Sequence, residues 1–467
     1  MNLPLTISEL QKDLLGKKYS AIELLEGYLG RIKTLDSNLN SFITITDEYA
    51  YSQAKLVQKR LSDYSGDVFN NFPLLGVVVA LKDLYLTKGI RTTAASKVLE
   101  DYVPDYSSTV VKRLEAAGCI VIGKTNCDAW AHGASGENSD FGPTRNPWNS
   151  EFVPGGSSSG SAVSVASQFA HIAMGTDTGG SIRQPASFCN VVGFKPTYGA
   201  VSRYGVVAMA SSLDTMGHFA HTAEDAKRVF DVTKGPDGFD STVAEGKVPT
   251  KIHKKVGVPK EYFIEGIDPQ VEKAVRDAIS VYKNMGYEVV EVSLPHTQYA
   301  ISVYYIVMSA EVSSNLGRYD GIRYGRDRSA FGAEAKRRIM LGTYVLSAGY
   351  YDAFYLKALK VRSKIISDFE KVFEDVDAII APVSPTPAFK LGEKINDPLQ
   401  MYLADVFTVA ANIAGIPGIS IPAGMTSSGL PLSFQLMGPR FSESNLFTMG
   451  EEYQRQTDWH TRLPNLT

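Results

Sequence analysis

The sequence predicts an α/β layered protein, and three observations carry that expectation. In the first half, stretches with helical apolar spacing alternate with short runs rich in β-branched residues. The second half repeats the same rhythm. The composition, 44% hydrophobic and 21% charged over 467 residues, is that of a globular chain long enough to bury a large core.

Taken in order, Ser8-x-x-Gln11 and Ser20-x-x-Glu23 read as capping boxes, in which side chains satisfy the free N–H groups of a helix start. After Ser20, residues Ile22, Leu25, Tyr28, Leu29 and Ile32 keep helical spacing. Residues 74–81 read as a buried strand ending at Lys82-Asp83, 110–117 as a helix, and Ile120-Val121-Ile122 as a strand. The apolar, small-residue stretch 162–174 reads as a core helix. Farther on, Val271, Ala274, Val275, Ala278, Ile279 and Tyr282 form one helical face, followed by a strand over 287–292. Residues 351–373 read as a long helix, and 377–381 and 418–421 as buried strands. The Gly-, Pro- and Asp-rich stretch 234–250 is either a linker or a surface excursion. The second reading is favoured, which makes 1–467 a single domain.

The formal net charge is −3, so a nucleic acid served by this chain is expected to be held mainly by a partner. Cys119, Cys127 and Cys189 form no C-x-x-C pair, so neither a disulfide framework nor a structural metal is expected. The first residues lack a secretory pattern, and no apolar run reaches membrane-spanning length. The expected compartment is the cytoplasm, or an organelle matrix after removal of a transit peptide.

The chemistry concentrates in two glycine-rich turns, Gly155-Gly-Ser157-Ser-Ser-Gly-Ser161 and Asp177-Thr-Gly-Gly-Ser181. Glycine lets the backbone turn sharply and approach a ligand closely, and successive N–H groups in such a turn make a pocket for negative charge. Serines on these turns, with Lys82 available as a base, point to acyl transfer through a serine ester. A flexible Gly/Ser linker is the bland alternative, but a linker does not lead directly into a core element. Gly118-Cys-Ile-Val-Ile-Gly-Lys-Thr125 matches a phosphate-loop pattern letter for letter. Its middle residues read as a strand, whose N–H groups are needed in a sheet. The seven histidines offer no triad, and His171 reads as a packed core residue.

The turns, continued by Asp177-Thr-Gly-Gly-Ser-Ile-Arg-Gln-Pro-Ala186 and Gly193-Phe-Lys-Pro-Thr-Tyr-Gly199, resemble the amidase signature family. Val79-Ala-Leu-Lys-Asp83 and Gly123-Lys-Thr-Asn126 extend the resemblance, whose core spans about 70–220. Ser202-Arg-Tyr-Gly205, Ala210-Ser-Ser-Leu-Asp214, the stretch 311–321, Lys336-Arg-Arg-Ile339, the stretch 342–352 and Asn412-Ile-Ala-Gly-Ile-Pro-Gly418 are similar to one branch of it. That branch holds the A subunits of glutamyl-tRNA(Gln)/aspartyl-tRNA(Asn) amidotransferases. The chain departs from the pattern at Ala129-Trp130, Gly217-His218 and Ser428. The last change leaves the ligand of a substrate ammonium unassigned.

The resemblance implies an amidase-signature fold, a central mixed β-sheet covered by helices on both faces. It implies a Ser–Ser–Lys relay in which Ser181 is the nucleophile, Ser157 the bridge and Lys82 the base, with a cis peptide between Gly156 and Ser157. A lysine can serve as base only when its pKa falls from about 10.4, as burial would cause. The N–H groups of Thr178, Gly179, Gly180 and Ser181 are expected to form the oxyanion hole. Arg362 is expected to bind the glutamine carboxylate, with Ser135 lining the same pocket. The implied activity is glutamine hydrolysis that supplies ammonia to amidate Glu-tRNA(Gln), or Asp-tRNA(Asn). The implied partners are B and C subunits in a heterotrimer. ATP and magnesium are expected to act on the partner, which also holds most of the misacylated tRNA, and no cofactor is expected on this chain. A stand-alone amidase for small amides is the alternative.

Overall fold

The computed structural model describes every residue except 1–2, 64–67, 247–252, 264, 324, 396 and 467. Its strands are β1 (Phe42–Ile45), β2 (Val78–Lys82), β3 (Ile120–Thr125), β4 (Ile172–Asp177), β5 (Val192–Lys195), β6 (Thr215–Ala220), β7 (Lys255–Pro259), β8 (Glu288–Val292), β9 (Ala378–Pro382), β10 (Gly418–Met425) and β11 (Pro431–Met437). They form one eleven-stranded sheet in the order β1-β3-β2-β4-β6-β5-β10-β11-β9-β7-β8. The sheet is mixed: β2 runs parallel to β3 and β4, whereas β4–β6, β5–β6 and β10–β11 are antiparallel. Strands on both sides of 234–250 belong to this sheet. The described part of that stretch lies against the core, where Asp237 accepts from Thr109 and Ser202, and Asp240 pairs with Arg203.

Both faces of the sheet are buried through its central strands. In β2, Val79 and Leu81 enter one apolar cluster, whereas Val78 and Ala80 enter another. Strand residues alternate between faces, so these two clusters lie on opposite sides. The second is built with the helices Ala21–Leu39, Asp47–Asp63 and Ser159–Ala166. Burial on both sides explains why β2 and β3 read as continuous apolar runs rather than as an alternating pattern.

Local chemistry sets most element ends. Ser20 caps its helix, and Glu23 completes the box as the sequence predicts. The first helix starts earlier than predicted. Thr6 is the N-cap and Glu9 its partner, so Ser8 lies inside the Ile7–Leu15 helix. Strand β2 begins at Val78, with residues 73–76 in a turn before it. The stretch 162–174 is not one helix: the helix ends at Ala166, and β4 begins at Ile172. Gln168 takes a positive φ of 53° at the break. The phosphate-loop pattern is β3 itself. Buried Lys124 there donates to the Tyr85 carbonyl at 2.8 Å and to Thr92 Oγ1 at 2.6 Å, and faces Asp83 at 3.3 Å. Among the described residues no helix is long and apolar enough to cross a membrane.

The Ser159–Ala166 helix packs so tightly that Gly160 has no room for a side chain. A methyl there would run into the main-chain oxygens of Ser41 and Asn126. Overpacking of this kind costs about 1–3 kcal/mol. Gly160→Ala is therefore expected to lower the thermal unfolding midpoint, read by calorimetry. An unchanged midpoint would mean that the helix does not dock this closely.

Candidate active site

Strand parity brings the lysine to the serines. Lys82 shares the parity of Val78 and Ala80, so it points to the face that carries the Ser159–Ala166 helix. Its Nζ lies 2.8 Å from Ser157 Oγ, 2.9 Å from Ser158 Oγ and 2.8 Å from Thr176 Oγ1. All partners are neutral hydroxyls. Burial pulls the Lys82 amine down to about 8, although the charges of Asp128, Asp177 and Asp214 oppose the shift. The positive end of the short helix acts in the same direction as burial. Ser158 Oγ also donates to the Thr176 carbonyl at 3.1 Å. A neutral amine can therefore donate to Ser158 and Thr176 and keep its lone pair for the Ser157 proton.

The turn carrying Ser157 is held on every side. The Gly156–Ser157 peptide is cis. Gly156 N–H donates to Gln184 Oε1 at 2.9 Å, and the Ser157 carbonyl accepts from Asp128 N–H at 3.1 Å. Ser158 N–H reaches the Ser181 carbonyl at 3.2 Å, which joins the two glycine-rich turns. Lys82 and Ser157 are fully buried, whereas Ser181 keeps 7% of its surface open. Of the three, only Ser181 meets open space.

Asp177, which sequence reasoning left without a role, organises the second turn. Its carboxylate accepts from Gly180 N–H at 2.8 Å, Asn412 Nδ2 at 2.9 Å, and Arg183 Nε and Nη2 at 3.1 Å each. Burial pushes this carboxyl up, but Arg183, Lys195 and the hydrogen bonds outweigh it, so it stays ionised below the usual range. Gly180 N–H is thus engaged by Asp177, which leaves Thr178, Gly179 and Ser181 of the four N–H groups expected to serve an oxyanion. Among the described residues these three N–H groups have no partner. Asp214 steadies the start of the turn by accepting from Thr178 Oγ1 at 2.8 Å. Burial pushes its carboxyl up to about 6.

Arg362 is not placed to bind a substrate. Its guanidinium donates to the Ile413 carbonyl at 3.1 Å, Ser212 Oγ at 3.0 Å and the Ser212 carbonyl at 3.1 Å. These contacts tie its helix, Lys357–Val372, to the loop before β6. Ser428 is likewise remote. It sits exposed in the β10–β11 hairpin turn, its Oγ 2.9 Å from Thr426 Oγ1. The eight residues of β10, at ~3.3 Å each, separate that turn from Gly418, which lies beside Arg183. A carboxylate at position 428 would not reach Ser181.

Ser135 does line a cavity, of about 240 Å³, and Arg338, Tyr305, His132 and Tyr402 share its wall. This is smaller than the roughly 300–1,000 Å³ of drug-sized pockets and suits a single amino acid. Arg338 is buried; its Nε donates to Glu334 Oε1 at 2.8 Å, while Nη2 has no partner among the described residues. Burial disfavours its charge, but Glu334 and Tyr305 more than restore it. Asp405, also buried, feels the charges of Arg338, Asp177, Arg183 and Asp128. Burial pushes its carboxyl well above the usual range. The cavity adjoins the first turn through Ser135, whose N lies 2.9 Å from where a Cβ on Gly156 would stand. A larger cavity of about 590 Å³, near Arg113 and Phe447, touches none of these residues. Among the described residues no cluster of three metal-ligating groups occurs.

Known proteins share this fold and much of the sequence behind it. The family pattern described as Amidase matches residues 23–447. The A subunit of the glutamyl-tRNA(Gln) amidotransferase of Geobacter metallireducens is 50% identical over 481 residues, covering 98% of each chain. The crystal structure of the corresponding glutamyl-tRNA(Gln) amidotransferase chain of Thermotoga maritima superimposes with a TM-score of 0.84 at 39% identity, over 100% of this chain and 99% of that one. A 6-aminohexanoate cyclic dimer hydrolase superimposes with a TM-score of 0.88 at 25% identity, over 100% and 99%.

The Asp177–Arg183 pair has no exposure to water. Breaking such a pair from one side leaves a buried charge and costs about 3–5 kcal/mol. Asp177→Asn is expected to destabilise the protein by that order, measured by denaturant unfolding. A loss below about 1 kcal/mol would show that the pair is not closed to solvent.

Proposed function

The chain belongs to the amidase signature family, and we propose that it is the glutamine-hydrolysing A subunit of a tRNA-dependent amidotransferase. The observation that carries the chemistry is the buried Lys82 amine on Ser157 Oγ, beside the turn of Ser181. Ser157 donates its proton to neutral Lys82 as Ser181 donates to Ser157, and Ser181 Oγ attacks the side-chain amide carbon. The oxygen of the tetrahedral intermediate takes the N–H groups of Thr178, Gly179 and Ser181. As the C–N bond breaks, the proton returns through Ser157 to the leaving nitrogen. Ammonia departs and a glutamyl–serine ester remains. Water, deprotonated by the same relay, hydrolyses the ester to glutamate.

Glutamine recognition falls to Arg338 and Asp405. The free face of the Arg338 guanidinium takes the α-carboxylate, and the Asp405 carboxylate takes the α-ammonium. The raised pKa of empty Asp405 fits this role, because an arriving cation restores its charge. Ammonia then serves a partner that uses ATP and magnesium to activate the misacylated glutamate, or aspartate, on tRNA. B- and C-type subunits complete the assembly, and tRNA rests mainly on the B-type one. A stand-alone amidase is not favoured, because relatives of about half identity along the whole chain are named as subunits.

The test is glutaminase activity of the chain co-purified with B- and C-type subunits. Ser181→Ala is expected to lower kcat by roughly 10³ or more. Arg338→Ala and Asp405→Asn are expected to raise KM for glutamine by about 10–100-fold, the worth of a charged hydrogen bond. Arg362→Ala is expected to change unfolding temperature more than KM. Full activity of Ser181→Ala, or a KM effect confined to Arg362, would overturn these assignments.

A further inference from the structure

The Gly179–Gly180 peptide lies at the centre of the nucleophile turn, and each glycine is free to rotate where a side chain would not be. Gly180 holds a φ of 139°. Neither residue tolerates a Cβ: one on Gly179 would come within 2.6 Å of Tyr304 Cζ, and one on Gly180 would run into Thr408 Oγ1. Close packing therefore demands glycines, and the glycines remove the backbone's own stiffness. The structure pins this peptide plane at both ends instead. Its N–H, on Gly180, donates to Asp177 Oδ1 at 2.8 Å. Its carbonyl, on Gly179, accepts from Thr408 Oγ1 at 2.6 Å.

The two neighbouring planes carry the N–H groups of Gly179 and Ser181, which serve as oxyanion donors in the reading above. We propose that Thr408 is a positioning residue for that oxyanion hole. Its hydroxyl fixes the central peptide so that the donors on either side point to the developing negative charge. This inference rests on Ser181 being the nucleophile.

The pinning group comes from a segment far along the chain that is itself held to the turn. Asn412 Nδ2 donates to the Asp177 carbonyl at 2.9 Å, and Asn412 Oδ1 accepts from Arg183 Nη2 at 2.7 Å. Arg183 Nη2 also donates to the Thr408 carbonyl at 3.0 Å. Thr408 stands three residues after Asp405, and Thr408 N–H donates to the Asp405 carbonyl at 3.0 Å. The residue that receives the substrate ammonium and the residue that orients the oxyanion donors therefore belong to one turn. Substrate seated on Asp405 steadies the Thr408 hydroxyl on Gly179 at the moment of reaction.

Because the oxyanion forms only in the transition state, losing this alignment lowers kcat more than it raises KM. The experiment compares Thr408→Val and Thr408→Ser in the co-purified complex, with Ser181→Ala in parallel. Thr408→Val keeps the shape but lacks the hydroxyl. It is expected to lower glutaminase kcat by about 10–100-fold, up to the loss of one oxyanion donor, with KM within about threefold. Thr408→Ser, which retains the donor, is expected to recover kcat to within about threefold of the unsubstituted complex. Should Thr408→Val not fold, Thr408→Ala gives the same comparison against Thr408→Ser. The proposal is overturned if the variants without a hydroxyl keep kcat within threefold, or if Thr408→Ser falls as far as they do. If Ser181→Ala retains activity, the nucleophile assignment fails first, which separates the two outcomes.

Discussion

A primary amine with no carboxylate in contact among the described residues, fully buried and bonded to Ser157, Ser158 and Thr176, is the constraint on which the site depends. In water such an amine would hold a proton near pH 10.4 and could accept none at neutrality. Three features of the fold work against the charge. β2 is buried on both faces, the neighbouring ligands are hydroxyls, and a helix begins at Ser159 with its positive end toward the amine. The nearest carboxylates, Asp128 and Asp177, are turned away to bind backbone N–H groups and Arg183. They raise the lysine only enough to leave it near neutrality. A carboxylate in direct contact would return the proton to the amine and end its use as a base.

Around that lysine the molecule assembles a site from distant stretches of chain. The glycine-rich segment contributes the two serines. Their geometry is completed by Asp177 and Arg183, and by Thr408, Asn412 and Gln435 from the last third of the sequence. Gln435 accepts from Arg183 Nη1 at 2.9 Å and donates to the carbonyls of Pro382 and Phe407 at 2.8 Å. Asp177, Arg183, Thr408, Asn412 and Gln435 are all buried and hydrogen-bonded. A buried polar network of this kind rigidifies when complete and is costly when broken. It ties the antiparallel β9–β11–β10 stretch of the sheet to the parallel strands beside Lys82. Strand order thus brings residues some 250 positions apart, Arg183 and Gln435, into contact.

Much of this was legible in the sequence where local chemistry decides local structure. Ser20 with Glu23 marked a helix start, and the apolar face from Val271 to Tyr282 marked a helix. The α/β class followed from the alternation of helical and β-rich stretches, and the mixed sheet from the resemblance to the amidase signature family. What failed did so for identifiable reasons. In residues 162–174 the polar Ser164, Ser167, Gln168 and His171 fall at helical spacing, so the helical pattern runs past the helix end at Ala166 toward β4. Ser8 and Gln11 formed a valid capping pattern, but Thr6 with Glu9 offered the same chemistry two residues earlier. Arg362 lay in a helix where a cation looks free, and only the fold revealed that Ser212 and Ile413 engage it. Arg338 stood in Lys336-Arg-Arg-Ile339, which carried the resemblance but no role; its burial against Met308 and Tyr305 is a tertiary fact. Asp405 and Thr408 lie in no motif and became visible only where the chain returned to Asp177.

The central claim, that Lys82 acts as a neutral base, is tested most directly by the pH dependence of glutaminase kcat/KM. Burial lowers this amine, so its neutral fraction grows as pH rises through about 8 and shrinks about tenfold per unit below that. The account predicts an acid limb of unit slope with an apparent pKa near 8, and near-complete loss of activity at every pH in Lys82→Arg, whose guanidinium stays charged. A rate independent of pH between 6 and 9, or a Lys82→Arg enzyme with the same profile, would contradict it.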